Sequence, residues 1–189
     1  TRNRLKAILT TSRAQIIFVD TPGIHKPHHL LGERLVQSAR KTIGEVDILL
    51  LLFDGFSAPG KGDAFLVKLL ESQKIPVFVV LNKCDLLNAD FYKQRKEEYQ
   101  QLIEKTNWPL FCCSSITGDG LEGLLSSIAN LLPVGPYLYP PDTFSDQPEK
   151  TLLSELIREQ VLIHTREEIP HSVAVTIDRL EETVVKKKD

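Results

Sequence analysis

The chain contains no methionine, and it does not open with the charged and then apolar segment of a secretion signal. Thr1 is therefore neither an initiator residue nor the head of a signal peptide, and we expect an N-terminal truncation. The sequence has three cysteines, Cys84, Cys112 and Cys113. Because this is an odd number and two are adjacent, a disulfide framework is disfavoured and a reducing compartment is expected.

Long apolar runs and a strong net charge are also missing. The longest apolar stretches, 48–53 and 77–81, are far shorter than the roughly 20 residues that a membrane span requires. The net charge is -2 and the pI is near 6.2, so no overall basic field draws the chain to nucleic acid or anionic lipid. With 189 residues, 42% of them apolar, we expect a soluble protein with one domain and part of a second.

Continuous apolar runs alternate with helix-like segments, a pattern typical of parallel strands that are buried on both faces. We predict strands at 5–10, 15–19, 48–53, 77–81 and 110–113. The first two form a hairpin, and right-handed crossovers join the others. We predict helices at 30–42, 62–73, 90–105 and 121–131. The charged helix 90–105 is expected to contact the core through Phe91, Leu102 and Ile103. The predicted fold class is α/β, with a mixed, mostly parallel sheet and helices on both faces.

Prolines cluster in residues 133–150, where they forbid a helix and favour an extended linker. We place a domain boundary there. After it, Thr151 is expected to cap a helix whose apolar spacing predicts one buried stripe. Residues 171–180 alternate between apolar and polar side chains, which predicts a half-buried strand.

The strongest chemical signal is Asn82-Lys83-Cys84-Asp85, directly after an apolar run. Open α/β sheets bind ligands at the carboxyl ends of their strands. A carboxylate there can accept hydrogen bonds from both N1–H and the exocyclic amino group of guanine, so Asp85 would supply base choice. Asn82 would brace the neighbouring loops, and Lys83 would lay its aliphatic stem over the base or ribose.

A second signal, Asp20-Thr21-Pro22-Gly23, also follows an apolar strand. Asp20 is suited to holding the shell of a Mg²⁺ ion, and Gly23 lacks a Cβ, so its N–H can approach a γ-phosphate. Alone, the tetrapeptide is an ordinary turn. The interval of 62 residues from Asp20 to Asn82 leaves room for two βα units, as one nucleotide site at one sheet edge requires.

A third element, Ser114-Ser115-Ile116, follows the last strand and is expected to offer backbone N–H groups to guanine O6. By itself it is weak, because serine-rich turns usually cap helices.

These motifs, in this order, resemble the translational GTPases and, more narrowly, the Era family of ribosome-assembly GTPases. Residues 1–4 resemble the end of that family's first switch, residues 18–25 its second switch, and residues 114–121 its fifth motif. Residues 154–159 and 169–173 are similar to the opening of its RNA-binding KH domain. Residues 23–29 are most similar to cyanobacterial members.

The resemblance implies a P-loop NTPase-like (Ras-like) GTP-binding domain at 1–132, a linker at 133–150 and the beginning of an α+β KH domain at 151–189. It implies a GTPase that uses Mg²⁺ with GTP and acts in small ribosomal subunit assembly through 16S rRNA. It also implies a cytoplasmic monomer with peripheral attachment to the inner membrane. By the same resemblance, Thr1 belongs to the first switch, and Thr21, Pro22, Ile24 and Cys84 join the GTP-binding positions.

The sequence departs from the family pattern at several points. No Gly-x-x-x-x-Gly-Lys-Ser/Thr phosphate loop occurs, so we expect this chain to bind neither GTP nor ATP tightly and to be poorly stable. Residues 151–189 contain no Gly-x-x-Gly loop to clamp RNA. Ser115 stands where the family usually has alanine. Ile24 occupies the position of a water-orienting glutamine in Ras-like enzymes, which predicts slow hydrolysis.

Two other features and two other functions bear on the interpretation. The residues His25, His28 and His29 are expected to form a surface loop rather than a metal site, because no acidic or thiol partner is nearby in the sequence. Cys84 is expected to be structural. A non-hydrolysing RNA or protein interaction module derived from a GTPase stays open as the alternative function. A GTPase acting in transfer RNA modification is disfavoured by the pattern at 154–173.

Overall fold

The computed structural model describes residues 6–20, 44–165 and 173–181. Five strands and four α-helices are formed there, with a short 3₁₀ turn at Cys84–Leu86. The strands are β1 Lys6–Thr10, β2 Gln15–Val19, β3 Leu49–Asp54, β4 Val77–Asn82 and β5 Leu110–Cys112; the helices are α1 Lys61–Leu70, α2 Ala89–Leu102, α3 Leu121–Leu131 and α4 Glu149–His164. In the described part of the chain, no helix is long and apolar enough to cross a membrane.

The chain divides into two compact units. The larger contains described residues 10–16 and 44–141, and the smaller contains described residues 6–9, 17–20, 142–165 and 173–181. Strands β1 and β2 pair in a two-stranded sheet, and β3, β4 and β5 form a three-stranded sheet in that order. Both neighbours of β4 run parallel to it, so the α/β class with a parallel sheet is confirmed.

Strand β4 is the centre of the larger unit. Its residues Val77–Leu81 are each at most 4% exposed, because β-branched and large apolar side chains fill both faces of a central parallel strand. On one face, Val77, Val79 and Leu81 join a core cluster that also contains side chains of β3, α1 and α2. On the other face, the ring of Phe78 lies 5.3 Å from that of Phe111 in β5.

Helices α1 and α2 begin at capping interactions that the sequence supplies. The Asn88 side chain accepts a hydrogen bond from Phe91 N–H at 2.9 Å, which satisfies a free donor in the first turn of α2. At the start of α1, the Asp63 carboxylate accepts from Gly60 N–H at 2.7 Å. Tyr99, 1% exposed, anchors α2 in the core with its ring centroid 5.1 Å from that of Phe53. Each cap therefore fixes where a core-facing helix starts.

The hairpin turn is held by the proline-rich segment within the larger unit. The Gln15 side chain accepts from the N–H groups of Leu138 and Tyr139, both at 2.9 Å, and donates to Tyr139 O at 2.9 Å. Arg13 donates to Ser126 and Asn130 of α3 at 3.2 and 2.8 Å. The prolines do prevent a helix, as expected, but this segment is hydrogen-bonded rather than free.

In the smaller unit, the continuation of the same segment pairs with β1. Ala7 and Ser145 form an antiparallel bridge, Ser145 Oγ donates to Lys6 O at 2.8 Å, and Ile8 N–H donates to Phe144 O at 2.9 Å. Lys6 also lies 3.6 Å from the Asp146 carboxylate. The extended backbone of residues 144–146 therefore satisfies donors and acceptors on an edge of β1.

Three predictions for residues after the linker were wrong. Helix α4 begins at Glu149 with Pro148 at its N-cap, so Thr151 lies inside the helix. The fixed φ of Pro148, -56°, and the acidic Glu149 in the first turn both favour the earlier start. None of the described side chains of α4 is buried; Leu156 is 57% exposed, so the predicted stripe is an open groove. Residues 173–181 form no strand, although exposure still alternates over residues 173–178.

Before the proline-rich segment, most of the described elements were predicted to within a few residues. Strand β2 and helix α3 have the predicted bounds. The other strands differ from their predicted bounds by one residue, at both ends for β3 and at one end for β1, β4 and β5. Helices α1 and α2 end three residues before their predicted ends. The contact prediction for α2 was wrong at Phe91, which is 52% exposed; Arg95 and Tyr99 are buried instead, with Ile103 as expected. The predicted helix 30–42 lies outside the described residues.

Candidate functional site

The candidate site is built at the carboxyl ends of β3 and β4. Asp54, the last residue of β3, is in register with Asn82, the last residue of β4. The next residue, Gly55, donates its N–H to Asn82 O at 2.7 Å. A Cβ on Gly55 would lie only 2.8 Å from that same oxygen, so a larger residue would push the two strand ends apart. Parallel pairing thus presents both polar side chains at one sheet edge.

Lys83 makes the turn that carries the chain out of β4. Its φ of 65° and ψ of 30° are left-handed, and among the described residues it is the one non-glycine residue with positive φ. Such a conformation costs on the order of 1 kcal/mol for a residue with a Cβ. The Lys83 ammonium lies 2.8 Å from Asp54 Oδ2. This ion pair holds the pKa of the Asp54 carboxyl below its usual value, chiefly through the hydrogen bond from Lys83.

Asn82 ties the end of β4 to the loop after β5. Its Oδ1 accepts two hydrogen bonds from Ser115, from the backbone N–H and from the hydroxyl, both at 2.9 Å. The prediction that Asn82 braces neighbouring loops describes this contact. The side chain of Ser115 supplies the second of the two bonds. A chain with alanine at this position would keep the backbone bond and lose the other.

The loop at 114–120 is a tight turn closed by its own side chains. Ser114 is 1% exposed, and its Oγ accepts from the N–H groups of Ile116 and Thr117 at 3.2 and 3.1 Å. Its N–H donates to Asp119 O at 3.0 Å. Gly120 has a φ of 75°, and a Cβ there would lie 2.2 Å from Cys112 O. Glycine is therefore required where the chain turns into α3.

The N–H groups of residues 114–116 are each engaged inside the protein. Those of Ser114 and Ile116 bond within the loop, and that of Ser115 bonds to Asn82. The expected donation from this segment to a base oxygen therefore needs a shared or exchanged hydrogen bond. Ser115 and Ile116 are exposed residues, whereas Ser114 is buried.

Asp85 and Ile116 face solvent beside these contacts. Asp85 is exposed, and within the described part of the chain its carboxylate has no hydrogen bond or ion pair. Ile116 is 86% exposed. Asp85 thus presents an acceptor-only group, and Ile116 presents an apolar surface.

Cys84 packs under the turn. Its Sγ lies 3.3 Å from Leu81 O, and a Cβ on Gly55 would lie 3.4 Å from it. Burial, with Cys112 nearby, raises the pKa of the Cys84 thiol to about 11. The thiol therefore stays protonated at neutral pH and is a poor nucleophile. A structural role for Cys84 fits these contacts.

Of the second motif, the structure describes only Asp20. Asp20 follows β2, is exposed and belongs to the smaller unit. Its carboxylate has the oxygen ligands that Mg²⁺ prefers. Thr1 and residues 21–24, which include Thr21, Pro22, Gly23 and Ile24, lie outside the described residues, as do the histidines at 25–29. In the parts that are described, no group of three or more His, Cys, Asp or Glu residues is arranged to hold a metal ion.

Two residues of this edge were missed by the sequence reasoning, Asp54 and Gly55. A signal for them was available, because Asp54-Gly55 directly follows an apolar run next to the strand that ends at Asn82. Applying to β3 the rule that ligands meet the carboxyl ends of parallel strands would have singled out both.

Known proteins resemble this chain in sequence and in fold. Residues 2–134 match the family model of the elongation factor Tu GTP-binding domain. The GTPase Era of Rippkaea orientalis is 53% identical over 183 residues, which cover 97% of this chain and 58% of the relative. A crystal structure of Era in complex with MgGDPNP and nucleotides 1506–1542 of 16S ribosomal RNA is 30% identical with a TM-score of 0.79. It covers 97% of this chain and 62% of that one.

An Aquifex aeolicus Era variant bound to GDP·AlF₄⁻ is 31% identical with a TM-score of 0.77, over 97% of this chain and 62% of its own. The chain thus spans less than two thirds of the length of these relatives. The match to the model of the elongation factor Tu GTP-binding domain nevertheless covers most residues of this chain. With a P-loop GTPase fold of mixed α/β type, the chain belongs to the Era family of GTPases.

Proposed function

We propose that this chain supplies the guanine-recognition part of a GTP-binding and GTP-hydrolysing switch protein. One observation carries the proposal: the contacts of Asn82 with Ser115 and of Lys83 with Asp54 leave the Asp85 carboxylate without a partner in the described residues. An exposed acceptor-only group at a sheet edge is suited to a ligand that presents two adjacent donors. The N1–H and amino group of guanine are such donors, and adenine does not present the pair.

In this proposal the four residues of the motif divide the work. Asp85 accepts both donors of the base, and the aliphatic stem of Lys83 covers its face. Asn82 keeps the loop at 114–116 against the end of β4, so that the N–H of Ser115 can be shared with guanine O6. Cys84 fills the space beneath the turn. Base choice then depends on the charge of Asp85 and on the rigidity that Asn82 gives the loop.

Phosphate binding and hydrolysis are proposed for the complete product of the gene. Asp20 would hold Mg²⁺ through its shell, and the ion would neutralise charge on the phosphates. Gly23 would bring its N–H to the γ-phosphate, with Thr21, Pro22 and Ile24 beside it and Thr1 in the first switch. Because Ile24 cannot orient an attacking water, hydrolysis is slow. The 189 residues contain no phosphate loop, so tight triphosphate binding is not expected of them alone.

The proposed partner is 16S rRNA of the small ribosomal subunit, during its assembly. A structural relative with 30% identity is complexed with nucleotides 1506–1542 of that RNA, which supports this choice. Residues 151–189 are proposed as the beginning of a KH domain, joined through the linker 133–150 to the GTP-binding domain at 1–132. We further propose a monomer in the cytoplasm that attaches peripherally to the inner membrane.

Base recognition is tested on the 189-residue chain with nucleosides, which need no phosphate loop. In a ¹H–¹⁵N NMR titration, guanosine is expected to shift the amides of residues 82–85 and of Ser115. We expect a Kd on the order of 1 mM, because guanosine should gain less binding free energy per heavy atom than the about −0.3 kcal/mol that well-optimised ligands reach. Adenosine is expected to shift them far less. Equal responses to the two nucleosides would refute the proposal.

Hydrolysis is tested on the complete gene product by phosphate release from GTP with and without Mg²⁺. Slow turnover that requires Mg²⁺ supports the switch, while binding of guanine nucleotide without turnover would favour the non-hydrolysing interaction module. For the RNA, mobility shifts with nucleotides 1506–1542 of 16S rRNA are compared between GTP and GDP states. RNA affinity that is the same with either nucleotide would contradict a switch.

A further inference from the structure

Asp54 is a charged residue at this sheet edge that does not belong to the motif of residues 82–85. Its Oδ2 lies 2.8 Å from the Lys83 ammonium, and its Oδ1 accepts from Phe56 N–H at 3.0 Å. Because each carboxylate oxygen has its own partner, the carboxylate is held in one orientation. It therefore offers the ammonium a fixed position rather than a mobile counter-charge.

The backbone places Asp54 there for the same reason that it places the motif. Asp54 and Asn82 are register partners, and Gly55 N–H donates to Asn82 O at 2.7 Å. Lys83, the next residue after Asn82, is held in a left-handed turn with φ of 65°. The origin of the lysine side chain and the position of its charged end are thus both fixed, which leaves its four-carbon stem little freedom.

A second carboxylate, that of Asp85, lies two residues from Lys83 in the chain, so it is an alternative partner for the same ammonium. A lysine side chain is a flexible point charge, so it can pair with either group. If it paired with Asp85, it would occupy the oxygens that guanine needs and would weaken their acceptor strength. In the structure the ammonium is with Asp54, and Asp85 has no partner in the described part of the chain.

We propose that Asp54 is a positioning residue for guanine recognition, which acts by retaining the Lys83 ammonium at the end of β3. This retention leaves the Asp85 carboxylate free for the base and directs the lysine stem along the sheet edge. The inference rests on the proposed guanine recognition and adds a determinant from a neighbouring strand. Asp54 touches Lys83 and is not assigned any contact with the base.

The test measures guanosine and adenosine dissociation constants by NMR for a set of variants of the 189-residue chain. Asp54→Asn removes the charge but keeps an oxygen for Phe56 N–H, so the backbone turn is preserved. Asp54→Glu restores the charge, and Lys83→Met removes the ammonium while keeping the stem. Glu97→Gln, an exposed carboxylate on α2, removes the same charge elsewhere and serves as the matched control.

Exposed ion pairs contribute little, so Asp54→Asn is expected to raise the guanosine Kd about two- to fivefold. Asp54→Glu is expected to retain most of the wild-type affinity, and Glu97→Gln to leave it unchanged. In the Lys83→Met background, Asp54→Asn is expected to have no further effect, because its action passes through the ammonium. A merely structural role of Asp54 would weaken binding equally in both backgrounds.

The outcomes separate this inference from the proposed function. If wild type prefers guanosine but Asp54→Asn binds it as tightly, or if its effect persists in Lys83→Met, the positioning role is refuted and guanine recognition stands. If wild type shows no preference for guanosine, both are refuted. Amide spectra of each variant verify the fold. If the Asp54→Asn spectrum is that of an unfolded protein while Asp54→Glu is folded and binds normally, the inference is also refuted, because the charge would then serve stability.

Discussion

Three glycines within six residues, Gly118, Gly120 and Gly123, are predicted to respond to alanine in three different ways. Gly118 has a φ of 85°, and a Cβ there would have no other atom within 4 Å; Gly120 has a φ of 75°, and its Cβ would lie only 2.2 Å from Cys112 O. Gly123 lies in the first turn of α3 with open space around it. The series therefore separates backbone strain from steric overlap in the loop that faces Asn82.

The magnitudes follow from those contacts. Gly118→Ala is expected to lower the free energy of unfolding by about 1 kcal/mol, the cost of a left-handed residue with a Cβ. Gly120→Ala carries the same strain plus about 1–3 kcal/mol for displacing the backbone at Cys112, or about 2–4 kcal/mol together. Gly123→Ala is expected to raise stability by about 0.5–1 kcal/mol, because alanine loses less entropy in a helix.

Urea unfolding followed by circular dichroism measures all three against wild type. The transition midpoint should rise for Gly123→Ala, fall for Gly118→Ala and fall furthest for Gly120→Ala, with similar slopes. If Gly120→Ala were no less stable than Gly118→Ala, the close approach of α3 to the end of β5 would be wrong. The loop at 114–120 would then not be held as the site requires.

Two further predictions concern the hairpin and the thiol. Gln15→Ala should remove four hydrogen bonds, three of them to the backbone of residues 138–139. It should lower the free energy of unfolding by about 1–3 kcal/mol and speed amide exchange at residues 138–139, whereas unchanged exchange would exclude this anchoring. The pKa of Cys84 rises from 9.0 to about 11 on folding, so its contribution to stability is complete below pH 9 and is lost as pH rises towards 11. The loss of stability between pH 9 and 11 should therefore be smaller in Cys84→Ala than in wild type; equal losses would contradict the burial of this thiol.

Local patterns were sufficient for the parallel sheet and its helices. The apolar run at 77–81 predicts a central strand because near-continuous large apolar residues are typical of a strand buried on both faces, and β4 is buried as predicted. Asn82 to Asp85 could be placed at a strand end for the same reason. What the patterns missed were contacts across strands, such as Asp54 with Lys83, because register and side-chain partners depend on tertiary pairing.

The failures after residue 148 have a different cause. Amphipathic spacing predicts which face of α4 is apolar, but burial also needs a surface that packs against it. Likewise, the alternation at 173–178 fixes which side chains share a face, whereas a strand needs a hydrogen-bonded neighbour. In the proline-rich segment, composition excluded a helix but could not predict the three bonds of Gln15 to its backbone. Thr151 is a residue type that can cap a helix, but Pro148 and Glu149 favour a start three residues earlier, with Pro148 as the N-cap.

The central claim is that Asp85 selects guanine, and exchanging its carboxylate for an amide tests it most directly. Xanthine carries a carbonyl where guanine has its exocyclic amino group, so the amide introduced by Asp85→Asn would accept from N1–H and donate to that carbonyl. With Asp85→Asn, guanosine affinity should fall at least about tenfold, as expected when a charged hydrogen bond is lost, and xanthosine should become the preferred nucleoside. If Asp85→Asn keeps the wild-type preference for guanosine over xanthosine, Asp85 does not choose the base and the account is wrong.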